Sequence, residues 1–190
     1  NPLYIKLKHM PNLCSALESI QKSCDNNSGG IYQVWFVPQD SIDVVTTNTV
    51  FPDYEVTAIT LSPAAPTTQF TSYYIRRNTS NYTEETAADL INGSTFVTQT
   101  INLVFHRREM AKSNALKILG SGQAYLSAVV LDANGKYWYF PYLQVSAVAE
   151  GSGTARADGS KYAVTLVAEN EYLAYEVTMT TGALAAIGIS

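Results

Sequence analysis

Apolar and polar positions alternate along much of the chain with a period of two, which predicts a protein built mainly of β-strands. The clearest example is "FVTQTINLVFH" at residues 96–106. One face of this strand is apolar except for Gln99, and it consists of Val97, Ile101, Leu103 and Phe105. The other face consists of Thr98, Thr100 and Asn102. The pattern predicts one buried face and one solvated face that carries hydroxyl and amide groups without charge.

Further segments rich in β-branched and aromatic residues also predict strands. They are residues 31–37, 54–61, 68–77, 143–149, 154–157, 161–169 and 172–180. The first of them, "IYQVWFV" at residues 31–37, is almost entirely apolar. Such a short apolar run is typical of a strand that is buried on both faces.

The segment "YLSAVVLDANGKYWYFPYLQ" at residues 125–144 predicts a β-hairpin that closes at a two-residue Asn134-Gly135 turn. One face of that hairpin pairs Leu131 with Trp138 and Val129 with Phe140. The other face pairs Val130 with Tyr139 and Asp132 with Tyr137. Neither face is suited to water, so we expect both of them to be covered.

One α-helix is predicted, at "REMAKSNALKIL" (residues 108–119). Its expected buried stripe consists of Ala111, Ala115, Ile118 and Leu119, and Gly120 is expected to end it. Arg107 and Arg108 oppose the helix dipole at its start, which indicates that they have partners elsewhere.

Two other segments complete the predicted architecture. The polar segment 78–93 is expected to form an insert with one or two helical turns, ended by Gly93. The uncharged, apolar segment 181–190 is expected to dock on the rest of the protein. With no internal repeat and no linker, the 190 residues predict one domain, an antiparallel β-sandwich or partly open barrel with one flanking α-helix.

Charge is scarce in this chain. Charged residues make up 15% of it, hydrophobic residues make up 46%, and the net charge is −4. A low-charge surface is often one that contacts other proteins. The acidic balance argues against nucleic-acid binding by phosphate neutralisation. No Lys or Arg occurs from residue 37 to residue 75.

The sequence contains no recognisable catalytic or metal-binding motif. His9 and His106 are far apart, and Cys14 and Cys24 have no second cysteine pair to complete a metal site. For the two cysteines, we favour free thiols over a disulfide. The adjacent carboxylates at 84–85 and 169–171 are better explained as solvated residues than as a glycosidase pair. We therefore expect no enzyme activity, no cofactor and no metal. The sequence has no stretch of 18 apolar residues, so we expect no membrane span. It has no basic region followed by an apolar run at the N-terminus, so we expect no leader peptide.

Aromatic residues suggest an alternative function. The chain has 13 Tyr and 2 Trp, many of them next to Asn, Asp or Thr, as in carbohydrate-binding β-sandwich modules, for example on phage fibres. A sugar platform concentrates its rings on one face, whereas the rings of the 125–144 hairpin fall on both. This distribution favours the ordinary role of aromatic residues in strands.

The order of the predicted elements resembles a family of virion proteins. It runs from "SCDNNSGGIYQVWFV" through "NGSTFVTQTINLVFHRREMAKSNALKIL" and "GQAYLSAVVLDANGKYWYFPY" to "GSGTARADGSKYAVTLVAENEYLAYEV". This pattern is similar to the tail-tube-like and tail ring proteins of phages that infect Bacteroidetes, including crAss-like phages. The similarity covers roughly residues 20 to 180. Residues 1–22, in which "NLCSALESI" predicts a short helix, depart from it as an N-terminal extension.

The resemblance implies a non-enzymatic subunit of the virion tail or head–tail connection, made in the bacterial host cytoplasm. Such subunits assemble into six- or twelve-fold rings, stack on neighbouring tail, ring or portal proteins, and let viral DNA pass through the lumen without binding it. Under this resemblance, Thr98, Thr100 and Asn102 face the lumen. Segment 78–93 becomes an inter-subunit loop that contacts a neighbour through Tyr82 and Glu84, and Tyr137 and Tyr139 place the second hairpin face against a neighbouring chain.

Overall fold

The structure, a computed structural model, describes Ile20 and residues 24–48, 54–62, 69–121 and 124–190. The strands are β1 (Ile31–Pro38), β2 (Ile42–Asn48), β3 (Glu55–Leu61), β4 (Thr71–Tyr74), β5 (Asn81–Asp89), β6 (Ser94–His106), β7 (Leu126–Asp132), β8 (Tyr137–Gly151), β9 (Lys161–Asn170) and β10 (Tyr175–Val177). The helices are α1 (Met110–Ser121) and α2 (Thr181–Ala186). Apart from Ile20, the predicted helix at "NLCSALESI" lies outside the described residues, as do His9 and Cys14. Cys24 is an exposed free thiol.

The long strand β8 belongs to two sheets. Its first half pairs with β7 and β10 in the first sheet, whose order is β2-β3-β10-β8-β7-β1-β4. Its second half pairs with β9 in the second sheet, which continues through β6 to β5. The two halves meet at Pro141 and Tyr142, where Tyr142 adopts a left-handed φ of 55°. A strand that bends in this way turns the corner between two sheets. The structure therefore confirms the predicted fold class, a mainly β sandwich or partly open barrel with a helix.

The central strands of the first sheet, β1, β7 and the first half of β8, are covered on both faces by side chains of their own chain. One face packs against the second sheet through Val34, Phe36, Val130 and Phe140. The opposite face packs against β3 and the C-terminal segment through Trp35, Val37, Val129 and Tyr139. Burying each large apolar side chain stabilises the fold by about 1.5–3 kcal/mol. The predicted burial of β1 on both faces is confirmed, because its side chains alternate between the two cores.

The C-terminal segment supplies part of the second core. Leu184, Ile187 and Ile189 are all at least nine-tenths buried there. The helix α2 begins at a cap in which the Thr180 hydroxyl accepts a hydrogen bond from the backbone N–H of Ala183 at 3.3 Å. The predicted docking of residues 181–190 is therefore confirmed.

The register of the β7–β8 hairpin differs by one residue from the predicted one. The observed pairs are Leu131 with Tyr137, Val130 with Trp138, Val129 with Tyr139 and Ala128 with Phe140. Three residues, Ala133 to Gly135, close the turn, because the Asp132 Oδ1 atom accepts the backbone N–H groups of Asn134 and Lys136 at 2.9 Å each. Gly135 provides the left-handed φ of 81° that this longer turn requires.

The second face of this hairpin is covered by its own chain, and the expectation that a neighbouring subunit covers it is wrong for Tyr139. Tyr139 is only 5% exposed and packs in the second core. Tyr137 also packs against this core, with its ring centroid 6.0 Å from that of Trp35.

The polar segment 78–93 forms a strand rather than helical turns, so the prediction of a loop with helical turns is wrong. Strand β5 pairs with β6 along its whole length, from Asn81 opposite Asn102 to Asp89 opposite Ser94. The Asp89 carboxylate accepts hydrogen bonds from Asn92 and from the backbone N–H of Ile91, which lowers its pKa and orders the connecting turn. The backbone hydrogen bonds between β5 and β6, together with the turn at Asp89, stabilise the strand more than the local sequence of residues 78–93 favours a helix.

Helix α1 forms at the predicted place, but its buried face agrees with the predicted stripe only at Leu119 and, in part, at Ala115. Leu116 and Leu119 are buried against the first core, whereas Ile118 is 77% exposed. The predicted partners of the arginines are present: Arg107 Nε lies 3.2 Å from Glu109, and Arg108 Nη2 lies 3.1 Å from Glu150 on β8. The helix therefore packs on the first core through these two leucines.

Three details of the strand pattern were predicted incorrectly. Residues 42–48 form the strand β2, which was not predicted. Residues 154–157 form a turn whose backbone N–H groups bind the Asp158 carboxylate, instead of a strand. Strand β10 pairs in parallel with β3, whereas the other pairs among the described strands are antiparallel as expected.

Candidate functional site

The predicted lumenal residues Thr98, Thr100 and Asn102 lie on the middle strand of the second sheet. Their side chains point away from the core, since the alternate residues Val97, Gln99 and Ile101 are buried. The assignment of the β6 residues to a core face and an outer face is therefore confirmed, including the exception Gln99. Whether the outer face lines a channel stays a prediction.

The outer face extends across four strands because residues directly opposite each other share a face. Thr98 lies between Glu85 on β5 and Glu169 on β9. Thr100 lies between Thr83 and Val167. Asn102 lies between Asn81 and Thr165, and its Oδ1 atom accepts a hydrogen bond from the Thr165 hydroxyl at 3.1 Å. The second half of β8 adds Gln144, Ala147 and Ala149.

Charge on this outer face is confined to its two ends. Glu85 and Glu169 flank Thr98 towards one end, where Asp89 lies further along β5 opposite Ser94, and Lys161 lies beside His106 at the other end. Between these ends the face carries hydroxyl, amide and small apolar groups. Proteins that hold nucleic acid neutralise phosphates with several Lys and Arg residues, and this face has one Lys among the described residues.

A buried ladder of polar side chains lies directly beneath the outer face. The Glu84 Oε1 atom accepts hydrogen bonds from Gln99 Nε2 at 2.7 Å and from the backbone N–H of Ala174 at 2.6 Å. Asn170 Nδ2 donates to Gln99 Oε1 at 2.6 Å and to the carbonyl of Pro141 at 3.2 Å. Gln99 is completely buried. The ladder therefore ties β5, β6 and β9 to the corner of β8 and explains the polar exception in β6.

The predicted inter-subunit residues Tyr82 and Glu84 face inward on β5 and contact their own chain. The ring of Tyr82 meets Phe140 edge to face with 5.3 Å between centroids. Burial, together with the charges of Asp132 and Glu84, raises the pKa of Tyr82 to about 12. Both side chains remain partly exposed, so a contact of Tyr82 or Glu84 with a neighbouring subunit stays a prediction.

An open cleft of about 320 Å³ lies where β8 bends, and the sequence did not predict it. We call it the tyrosine cleft, and its lining includes Tyr142, Glu171, Tyr172, Leu173 and Tyr175. Tyr142, Tyr172 and Leu173 are each about half exposed, at 53%, 46% and 53%. The closely spaced tyrosines in "ENEYLAYEV" were the feature of the sequence that could have indicated this cleft. These tyrosines were predicted to lie in a strand, whereas the first of them lies in the loop between β9 and β10.

Compared with models of known protein families and with curated proteins, the chain matches none. The part of the chain that the structure describes holds no group of three or more His, Cys, Asp or Glu residues placed to bind a metal ion. No helix among these residues is long and apolar enough to cross a membrane. The functional proposal consequently rests on the geometry of the outer face and on the resemblance described above.

Proposed function

We propose that the chain is a structural virion protein of a bacteriophage, located in the tail or the head–tail connection, where copies of it form a ring around the DNA channel. The observation that carries this proposal is the wide, nearly neutral outer face of the second sheet, centred on Thr98, Thr100 and Asn102. The ring holds six or twelve copies and contacts neighbouring tail, ring or portal proteins. The protein has no enzymatic role.

The chemistry of the outer face suits a surface along which DNA slides. Binding a duplex through its phosphates requires Lys or Arg side chains, and each such contact would hold the genome back. Hydroxyl and amide groups stay hydrated without attracting phosphates, and Glu85 and Glu169 repel them. Lys161 lies at the rim of the face, beside the last residue of β6.

Strand edges provide a route for neighbouring copies to associate. Among the described strands, β5 pairs with β6 alone, so its outer edge exposes backbone donors and acceptors. An extended segment of another chain can add to such an edge through main-chain hydrogen bonds. This strand edge replaces the inter-subunit loop that was expected at residues 78–93.

The first experiment combines light scattering with negative-stain microscopy of the purified protein. We expect a defined oligomer with a central hole. In a Cys14→Ser, Cys24→Ser background, Thr100→Cys labelled with a gold cluster should place density inside the hole. The matched label at Lys117→Cys, on the exposed side of α1, should place density elsewhere. A monomer at every concentration contradicts the proposed function, and gold at the outer rim contradicts the lumenal position of Thr100.

The second experiment uses the double substitution Thr98→Lys, Thr100→Lys in assembled particles. We expect rings to form, since both side chains point away from the core, but DNA ejection to slow because the added charges bind phosphates. The matched control is Thr46→Lys, Thr60→Lys, which adds the same charge at exposed positions of β2 and β3. Ejection at the wild-type rate from particles that carry the first pair contradicts the proposed channel.

A further inference from the structure

The tyrosine cleft combines aromatic faces with negative charge. Tyr54, Tyr175 and Tyr172 form a stack, with centroids 6.1 Å apart in the first pair and 6.4 Å apart in the second. The exposed Glu171 carboxylate beside them accepts a hydrogen bond from the Tyr172 hydroxyl at 3.0 Å. The described residues that line the cleft include no Lys or Arg. A planar cation is the group that fits this chemistry best, because it can stack on the rings and pair with the carboxylate.

The complementary surface lies elsewhere on the same chain. We call it the arginine patch, and it consists of Tyr32, Tyr74, Arg76 and Arg77. Arg77 donates to the Tyr32 hydroxyl at 2.9 Å, and its guanidinium carbon lies 5.5 Å from the centre of that ring. Arg76 is exposed, Tyr74 is 74% exposed, and within the part of the chain that the structure describes no carboxylate forms an ion pair with either arginine. The patch therefore presents Arg76 to an external partner.

The two surfaces lie at opposite ends of the first sheet. Tyr32 is the second residue of β1, whereas Gln39, which lines the tyrosine cleft, directly follows the last residue of β1. At about 3.3 Å per residue, these two positions are roughly 23 Å apart along the strand. Arg76 of one copy consequently cannot reach the cleft of the same copy, but it can reach the cleft of another.

We infer that the tyrosine cleft binds Arg76 from the arginine patch of a second copy, so that the subunits associate head to tail. This inference rests on the proposed ring function and adds a pair of contact surfaces to the strand edge of β5. In it, the Arg76 guanidinium lies between the rings of Tyr142 and Tyr172 and pairs with Glu171. Arg and Tyr are the residue types that most often dominate protein–protein interfaces. A head-to-tail contact uses different surfaces on the two partners, and this type of contact closes into rings when the rotation between copies permits.

A charge swap tests the contact by light scattering over a concentration series. Arg76→Glu and Glu171→Lys should each weaken assembly by at least about tenfold, because each leaves like charges facing each other. An equimolar mixture of the two variants should assemble again, since each variant then offers the other a complementary surface. The matched control, Lys117→Glu on the exposed side of α1, should assemble like the wild type.

The outcomes separate this inference from the proposed function. If the wild type assembles and both single variants assemble equally well, the Arg76–Glu171 contact is wrong and the ring proposal stands. If the wild type stays monomeric at every concentration, both are wrong. If Tyr172→Ala leaves assembly intact but abolishes binding to a glycan array, the cleft is a carbohydrate site and the inference is wrong.

A disulfide trap provides a second measurement that does not depend on charge. In the Cys14→Ser, Cys24→Ser background, Arg76→Cys with Leu173→Cys should yield covalent oligomers on mild oxidation. The control pair Lys117→Cys with Leu173→Cys should remain monomeric under denaturing conditions. Covalent oligomers from both pairs in equal yield, or from neither, overturn the inference.

Discussion

Strand β6 and the β7–β8 hairpin occupy central positions in their two sheets, but only β6 has a face that meets solvent. Its polar residues therefore indicate which side chains point outward. A shift of its pairing register by one residue would expose all the apolar side chains of its buried face. The hairpin is apolar on both faces because each faces a core of the same chain. The side-chain pattern of the hairpin therefore does not indicate which side chains point to which face, and its pairing register is set by the turn between β7 and β8.

The largest change in the free energy of unfolding should come from removing a buried aromatic ring rather than an exposed one. Phe140 is completely buried in the first core, whereas Phe96 on the outer face is 39% exposed. Phe140→Ala should lower the free energy of unfolding by about 3–5 kcal/mol, because it removes buried area and leaves a cavity. Phe96→Ala should lower it by less than about 1 kcal/mol. Urea denaturation followed by circular dichroism measures both, and losses of similar size would show that the outer face is also covered within one chain.

The sequence predicted the class of fold and most strands correctly because their alternation reflects burial directly. The one-sided β6 and the doubly buried β1 are examples in which the pattern alone was sufficient. It failed where local and tertiary preferences differ. Segment 78–93 has helix signals, but its backbone is bound in the β6 ladder, and α1 presents Leu116 rather than Ile118 to the core.

The candidate site was predictable in part. The wet face of β6 was visible in the chain, whereas its extension across β5, β9 and β8 depends on pairings between distant segments. The tyrosine cleft exists only because β8 bends at Tyr142 and brings its rings near the β9–β10 loop. A bend of this kind at a residue other than glycine has no reliable signal in a single sequence.

A smaller difference in the free energy of unfolding should distinguish the inward-facing side of β5 from its exposed side. Glu84 faces inward and accepts the hydrogen bonds of Gln99 and Ala174, whereas Glu85 on the same strand is exposed. Glu84→Ala leaves buried donors without a partner and should cost about 1–3 kcal/mol of unfolding free energy. Glu85→Ala should change it by no more than about 0.5 kcal/mol. Equal costs for the two variants in urea denaturation would contradict a structural role for the buried ladder.

The smallest effect concerns the pH dependence of stability. The pKa of Tyr82 is raised to about 12 in the folded state, chiefly by burial, from its ordinary value of 10.0. Its contribution to stability is complete below pH 10 and is lost as the pH rises towards 12, because the unfolded chain loses the phenolic proton first. Burial also raises the pKa of Tyr73 and Tyr139, so Tyr82→Phe should remove only part of this loss.

Urea denaturation at pH 9 and pH 11 tests this expectation. The decrease in unfolding free energy between the two pH values should be smaller in Tyr82→Phe than in the wild type. Tyr74→Phe removes a hydroxyl from a ring that is 74% exposed and is the matched control, with the wild-type decrease expected. If Tyr82→Phe also shows the full decrease, the ring does not stay protonated against Phe140 in the folded protein, and the inner side of β5 is more open to water than its contacts indicate.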